Sequence, residues 1–141
     1  MTSTAQTITA GNVRLRRSAA LPVAATASVL AGIIHYLVLP EHLAGWWVYG
    51  AFFTLLGMFE LVWAALVYTG QDRLVLLIGL VVNLAVLVLW AVTRTTGLPF
   101  GPEPGNAEAV GIPDLAACAA EAMTVLAVLY ALARSKRTQR A

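Results

Sequence analysis

Charged residues are scarce in this chain. Only 11% of its 141 residues are charged, 60% are hydrophobic, and the mean hydropathy is +0.79. A typical soluble domain is about 25% charged and about 45–50% apolar. The composition therefore excludes an ordinary soluble domain and indicates a protein that lies mostly in lipid.

Cysteine is also nearly absent, because Cys118 is the only one. A single cysteine cannot form a disulfide within the chain, and there is no CxxC pair. The sequence lacks a P-loop, a dinucleotide-binding glycine pattern, a GxSxG elbow and an HExxH helix. Basic residues are not interleaved with aromatic ones, so nucleic-acid binding has no support. We therefore predict that the protein is not an enzyme and that nucleic acid is not a partner.

Four apolar runs, at 19–39, 46–68, 74–93 and 113–133, account for the hydrophobic excess. Each has about 20 residues, the length that crosses about 30 Å of hydrocarbon as a helix. The prediction is an all-α fold, a four-transmembrane-helix bundle over 19–134 in the lipid bilayer. A polar tail at 1–18 precedes it and a basic tail at 135–141 follows it. Pro40 is expected to end the first helix, since proline removes a helical hydrogen bond.

The basic residues lie almost entirely on one side of this topology. Arg94 is alone on the other side. The remaining eight are Arg14, Arg16, Arg17, Arg73, Arg134, Lys136, Arg137 and Arg140. Basic residues concentrate in the cytoplasmic segments of membrane proteins. The pattern predicts that both termini are cytoplasmic, and that the 35–47 stretch and the loop between the third and fourth runs face outward.

Each run carries small and polar residues at helical spacing. The four stripes are Ser28, Gly32 and His35; Gly50, Gly57, Glu60 and Ala64; Gly79, Asn83, Trp90 and Arg94; and Asp114, Ala117, Glu121 and Thr124. Small residues at such spacing favour close contact between membrane helices. Ionisable side chains in a membrane usually face the bundle interior. We therefore expect the stripes to meet inside the bundle.

The segment 94–114 is rich in glycine and proline and long for a connection between helices. Long loops of this kind are functional or disordered. We predict an ordered cap over the outer end, in which Arg94 pairs with Glu103, Glu108 or Asp114. Three aromatic residues near the same end, Trp46, Trp47 and Tyr49, are typical of the belt at a membrane surface.

Ionisable residues in the outer half form the candidate site. The candidate metal ligands are His35, Glu41, His42 and Glu121, and the other polar candidates are Glu60, Asn83, Arg94 and Asp114. Imidazole and carboxylate suit zinc, copper or iron. In a continuous helix His35 and His42 lie about 10 Å apart. Both could therefore reach one ion only if the chain folds back at Pro40.

Three functions remain open from the sequence. The first is an outward-facing polar site inside the bundle that binds a metal ion or another cation, with haem as a minor variant. The second is a structural or accessory subunit of a homo-oligomer or a larger membrane complex, without a ligand. In that case His35 would bond to Glu121 or Asn83. Glu60 would be protonated and bonded to a backbone carbonyl, and Arg94 would hold the loop acids. The third is passage of protons or a small solute.

Three motifs carry a resemblance to a known family. They are HYLVLPEH at 35–42, TRTTGLPFGPEPG at 93–105 and EAVGIPDLAA at 108–117. With them the chain resembles an uncharacterised family of small four-span integral membrane proteins from actinobacteria. The resemblance implies a bacterial plasma-membrane protein with four helices and an organised outer loop, and it implies no activity. Its motif positions are His35, Glu41, His42, Arg94, Pro99, Gly101, Glu108, Asp114 and Glu121.

Overall fold

A computed structural model describes residues 18–70 and 72–138, with side chains as far as residue 135. It contains four helices: α1 (Ala20–Gly45), α2 (Trp47–Thr69), α3 (Arg73–Thr95) and α4 (Ile112–Thr138). All four are long and apolar enough to cross a membrane. The predicted all-α fold with four candidate spans is confirmed, and it describes a multi-pass membrane protein.

Parts of both predicted tails lie outside the described residues. These parts are 1–17 and 139–141, with Arg14, Arg16, Arg17 and Arg140, together with the side chains of Lys136 and Arg137. Helix α4 continues past residue 134 to Thr138, into the segment predicted as the basic tail. Basic residues are good helix formers, and they are favoured at a helix C-terminus by the macrodipole.

Helix α1 is the central element of the bundle. It packs along both α2 and α4, and α4 also packs against α3. The contact between α2 and α3 is much smaller, and within the described residues α1 does not reach α3. The helices therefore follow one another around the bundle as α2, α1, α4 and α3, with a weak seam between α2 and α3. Helix α3 is the most apolar and the least buried of the four.

One half of the bundle is filled with apolar side chains. We call this set the apolar cluster: Leu21, Ala24, Ala25, Trp63, Ala64, Val67, Leu76, Ala127, Val128 and Ala131. The largest member, Trp63, is 2% exposed, and its indole donates to the Val75 carbonyl oxygen at 2.7 Å. Gly79 lies against this indole, and a Cβ there would overlap the ring. Trp63 therefore holds α2 and α3 together across their weak seam.

The prediction that the first helix ends at Pro40 is wrong. Helix α1 continues through Pro40 to Gly45, and Trp46 alone, with an extended backbone, separates it from α2. Proline is tolerated in a membrane helix where nearby groups satisfy the backbone. The carbonyl that Pro40 leaves without a helical N–H partner is that of Tyr36. Two residues further on, the Val38 carbonyl oxygen is bonded to the His42 ring through Nδ1 at 2.8 Å. The chain does not fold back, so His35 and His42 lie about two turns apart and cannot share one metal ion.

Candidate binding cavity

A cavity of about 310 Å³ opens in the half of the bundle opposite the apolar cluster. All four helices contribute to its wall, and the loop of residues 96–111 contributes Leu98, Phe100 and Glu108. Its lining includes six aromatic side chains: Trp46, Tyr49, Phe52, Phe53, Trp90 and Phe100. We call it the aromatic cavity. Its polar lining residues include His35, His42, Arg94, Asp114 and Glu121.

His35 and Glu121 form a buried pair in the wall of the aromatic cavity. The His35 Nε2 atom lies 3.1 Å from Glu121 Oε1, and the two residues are 3% and 1% exposed. Within the described part of the chain, His35 Nδ1 and Glu121 Oε2 have no hydrogen-bond partner. Most buried polar atoms in proteins do have one. The pair therefore retains one free atom on each side chain with which to bind a further group.

Arg94 forms a second polar cluster near the end of α3. Its guanidinium bonds to Glu108 and, at 2.9 Å, to Asp114. The Asp114 carboxylate also accepts from the Gly111 N–H at 2.8 Å. The predicted pairing of Arg94 is confirmed for these two acids, whereas no ion pair links it to Glu103 in the described residues. Two carboxylates share one guanidinium, so the cluster has a net negative charge.

The 96–111 loop passes over the aromatic wall. Gly97 has φ +69°, and a Cβ there would overlap the Asn106 backbone. Gly101 has φ +109°, and a Cβ there would lie 3.2 Å from the Tyr49 hydroxyl. The Glu108 N–H donates to the Thr93 carbonyl at 2.9 Å, which ties the loop back to α3. Glycine is required at both turns because L side chains are strained at such positive φ.

Removing one loop ion pair is expected to loosen the loop. Glu108 is 44% exposed in its pair with Arg94, so we expect Glu108→Gln to weaken loop closure by about 1 kcal/mol, about fivefold in the open population. The measurement is the rate at which a broad-specificity protease cleaves the protein in membrane vesicles. Glu103→Gln is the matched control, since it removes the same charge from the same loop without touching Arg94. Equal cleavage of the two variants would contradict the role of the pair.

The predicted polar stripes do converge. Ser28, Gly32, His35, Gly57, Glu60, Asn83, Ala117, Glu121 and Thr124 are all buried. Glu60 bonds to Ser28 of α1 and, at 3.1 Å, to Asn83 of α3. The sequence pattern thus placed these faces correctly. It could not indicate which stripe residues touch.

The candidate metal ligands do not come together as a set. His35 and Glu121 meet, and His42 lines the same cavity with its ring 4.0 Å from that of Phe53. Glu41 is exposed. It follows His35 by six residues, which turns it about 240° around a continuous helix. Among the described residues, no three histidine, cysteine, aspartate or glutamate side chains could hold a metal ion.

Sequence reasoning missed the aromatic wall. The sequence predicts Trp46 and Tyr49 in a belt at the membrane surface, and it does not predict that they also pack edge to face, with ring centroids 5.2 Å apart, and line the cavity. Trp47 is 69% exposed and remains suited to such a belt. A signal was available in the sequence. Aromatic residues at 46–53, 90 and 100 fall at the same end of three separate segments.

Comparison with other proteins adds no assignment, because no protein-family model, curated protein or solved structure matches this chain. The resemblance to the actinobacterial four-span family therefore stays a prediction.

Proposed function

We propose that this protein binds a small organic cation with an apolar body in the aromatic cavity. The observation that carries the proposal is the combination of an aromatic wall with an excess of carboxylates. Among the lining residues, Glu108, Asp114 and Glu121 supply three carboxyl groups, whereas Arg94 supplies one guanidinium. Arg94 is already shared by Glu108 and Asp114. Within the described residues, Glu121 has His35 as its partner and one oxygen without a hydrogen bond.

Each part of this lining suits such a ligand. The faces of Trp, Tyr and Phe attract a cation, more strongly where water is excluded. The carboxylate at Glu121 supplies the opposite charge. It would repel an anion and would add nothing to the binding of a neutral ligand. A transition metal generally takes three or more protein ligands, which the described residues do not bring together. The volume lies at the lower end of the about 300–1,000 Å³ typical of ligand sites, which suits a compact amine.

The test is a calorimetric titration of the purified protein with benzyltrimethylammonium. Neopentylbenzene is the matched control, because it has the same shape with carbon in place of the charged nitrogen. We expect saturable binding of the cation, a rise in thermal midpoint with its concentration, and no comparable effect of the neutral compound. Equal binding of the two compounds, or none, would remove the cation proposal.

We further propose that both termini are cytoplasmic, that the aromatic cavity faces outward in a bacterial plasma membrane, and that the 96–111 loop is its ordered cap. Arg73 and Arg134 at the opposite end of the bundle support this orientation, together with the basic residues of the tails. Reporter fusions at positions 5, 72 and 138 should give cytoplasmic signals, and one at 105 an external signal. An external signal from the C-terminal fusion would reverse the orientation.

The same purified protein distinguishes the cation proposal from solute passage, from an accessory subunit and from metal binding. The apolar cluster fills the half of the bundle beyond Glu60, which supports binding rather than passage of a solute. The buried pair of His35 and Glu121 would also serve an accessory subunit by fixing the contact between α1 and α4. An accessory subunit would show no response to benzyltrimethylammonium, zinc, copper or iron. A metal-binding protein would show a higher thermal midpoint with the metal alone.

A further inference from the structure

Glu60 is an acid buried inside the bundle. It lies near the middle of α2 and is 1% exposed. Within the described residues it forms no ion pair, and its side-chain partners are the neutral Ser28 and Asn83. An ionised carboxylate in this position would be costly because water is excluded and no cation compensates the charge. The surroundings thus favour the neutral acid.

The protons available to Glu60, Ser28 and Asn83 also indicate that Glu60 is neutral. Ser28 Oγ is in hydrogen-bond contact with two oxygens of Glu60, the side-chain Oε2 and, at 2.9 Å, the backbone carbonyl. A hydroxyl has one proton and can donate to only one of them. If Glu60 were ionised, the other contact would join two acceptors with no proton between them.

A protonated Glu60 gives each hydrogen bond between these residues its own proton, although Asn83 Oδ1 still has no partner within the described residues. Its Oε2–H then donates to Ser28 Oγ, and the Ser28 hydroxyl donates to the Glu60 carbonyl. Asn83 Nδ2 has two protons, which it donates to Glu60 Oε1 at 3.1 Å and to the Gly79 carbonyl at 3.0 Å. Only when Glu60 is protonated does each of these hydrogen bonds have its own proton.

Glu60 lies about one helical turn from the lining of the aromatic cavity. Gly32 brings α1 against α2, since a Cβ there would lie 3.2 Å from the Glu60 Cβ, and His35 follows Gly32 by about one turn. On the other side of Glu60 is the apolar cluster, which includes Trp63 and Ala64. His35, which lines the cavity, is therefore the polar side chain one turn from the level of Glu60 on the side away from the apolar cluster.

We propose that Glu60 is a proton-binding site, a neutral carboxylic acid that exchanges its proton with solvent through the aromatic cavity. The titratable groups that act on it electrostatically are Glu121 of α4 and His35 of α1. Helix α3 presents the neutral Asn83. The proposal needs no organic cation and stands independently of the cation site.

The experiment is infrared spectroscopy of the protein in lipid vesicles near neutral pH. A protonated carboxyl group has a carbonyl stretch above the amide band that a carboxylate lacks. We expect this band in the wild type, its loss in Glu60→Gln, its retention in the control Glu41→Gln, which removes an exposed acid outside the cavity lining, and a downshift in D₂O. Identical spectra of wild type and Glu60→Gln would overturn the proposal, and a band insensitive to D₂O would overturn exchange with solvent.

The thermal midpoint of Glu60→Gln shows whether this variant is still folded. The glutamine amide can donate to Ser28 Oγ as the acid does, so we expect Glu60→Gln to keep the thermal midpoint of the wild type. If it unfolds instead, Ser28→Ala provides the test, because it removes the acceptor of the carboxyl proton. The carbonyl band should then move to the frequency of a less strongly bonded acid. A band that does not move in folded Ser28→Ala protein would overturn the assignment to Glu60.

Discussion

Replacing Trp63 with alanine is expected to lower the free energy of unfolding by about 3–5 kcal/mol, the usual cost of removing a buried tryptophan. The indole is 2% exposed and lies against Gly79, where it fills the seam between α2 and α3. Its removal leaves a cavity, and it frees the Val75 carbonyl from a 2.7 Å hydrogen bond. Packing of this kind is the main force between helices in lipid.

Trp47→Ala is the matched control for this substitution. Trp47 is also in α2 but is 69% exposed, so its removal should change the unfolding free energy little. Reversible unfolding in mixed micelles, with sodium dodecyl sulfate as the denaturant, would measure both variants. If the two substitutions cost the same, Trp63 does not hold the seam.

Glu121→Gln is expected to weaken binding of benzyltrimethylammonium by about 10- to 100-fold, about 1.4–2.7 kcal/mol. The substitution removes the charge in the cavity wall but keeps the shape of the side chain and an oxygen that can bond to His35. The stability of the protein should therefore change by less than about 1 kcal/mol. A loss of affinity with retained stability separates the charge of Glu121 from its role in packing.

Glu41→Gln is the control for this loss of charge. Glu41 is exposed and is not part of the cavity lining, although it belongs to the same end of the bundle. Calorimetry should show wild-type affinity for this variant. An equal loss in both variants would indicate a general electrostatic effect rather than a contact in the cavity. Zinc-dependent stabilisation that disappears in both His35→Gln and Glu121→Gln would instead favour a metal site.

The burial of the polar stripes could be predicted because helical periodicity fixes which residues share a face. Ser28, Glu60, Asn83 and Glu121 were placed inside the bundle on that basis, and they are buried. The pairs they form were not predictable in the same way. His35 and Glu121 are 86 residues apart, and their contact depends on how α1 and α4 are aligned.

Local rules failed where packing or position overrides them. Proline ends many helices, yet α1 continues through Pro40. The aromatic residues show the same limit, since Trp46 and Trp47 are neighbours in sequence but only Trp46 lines the cavity. No local feature separates the two tryptophans. The extended backbone of Trp46 at the joint between two helices sets their directions.

The single-residue joint at Trp46 has a consequence for biogenesis. Helices α1 and α2 are connected by this residue alone, so there is no hydrophilic loop between them to carry across the bilayer. The two segments are packed along each other, and each satisfies its own backbone polar groups as a helix. We therefore expect the insertion machinery to release α1 and α2 into the membrane together, as one helical hairpin.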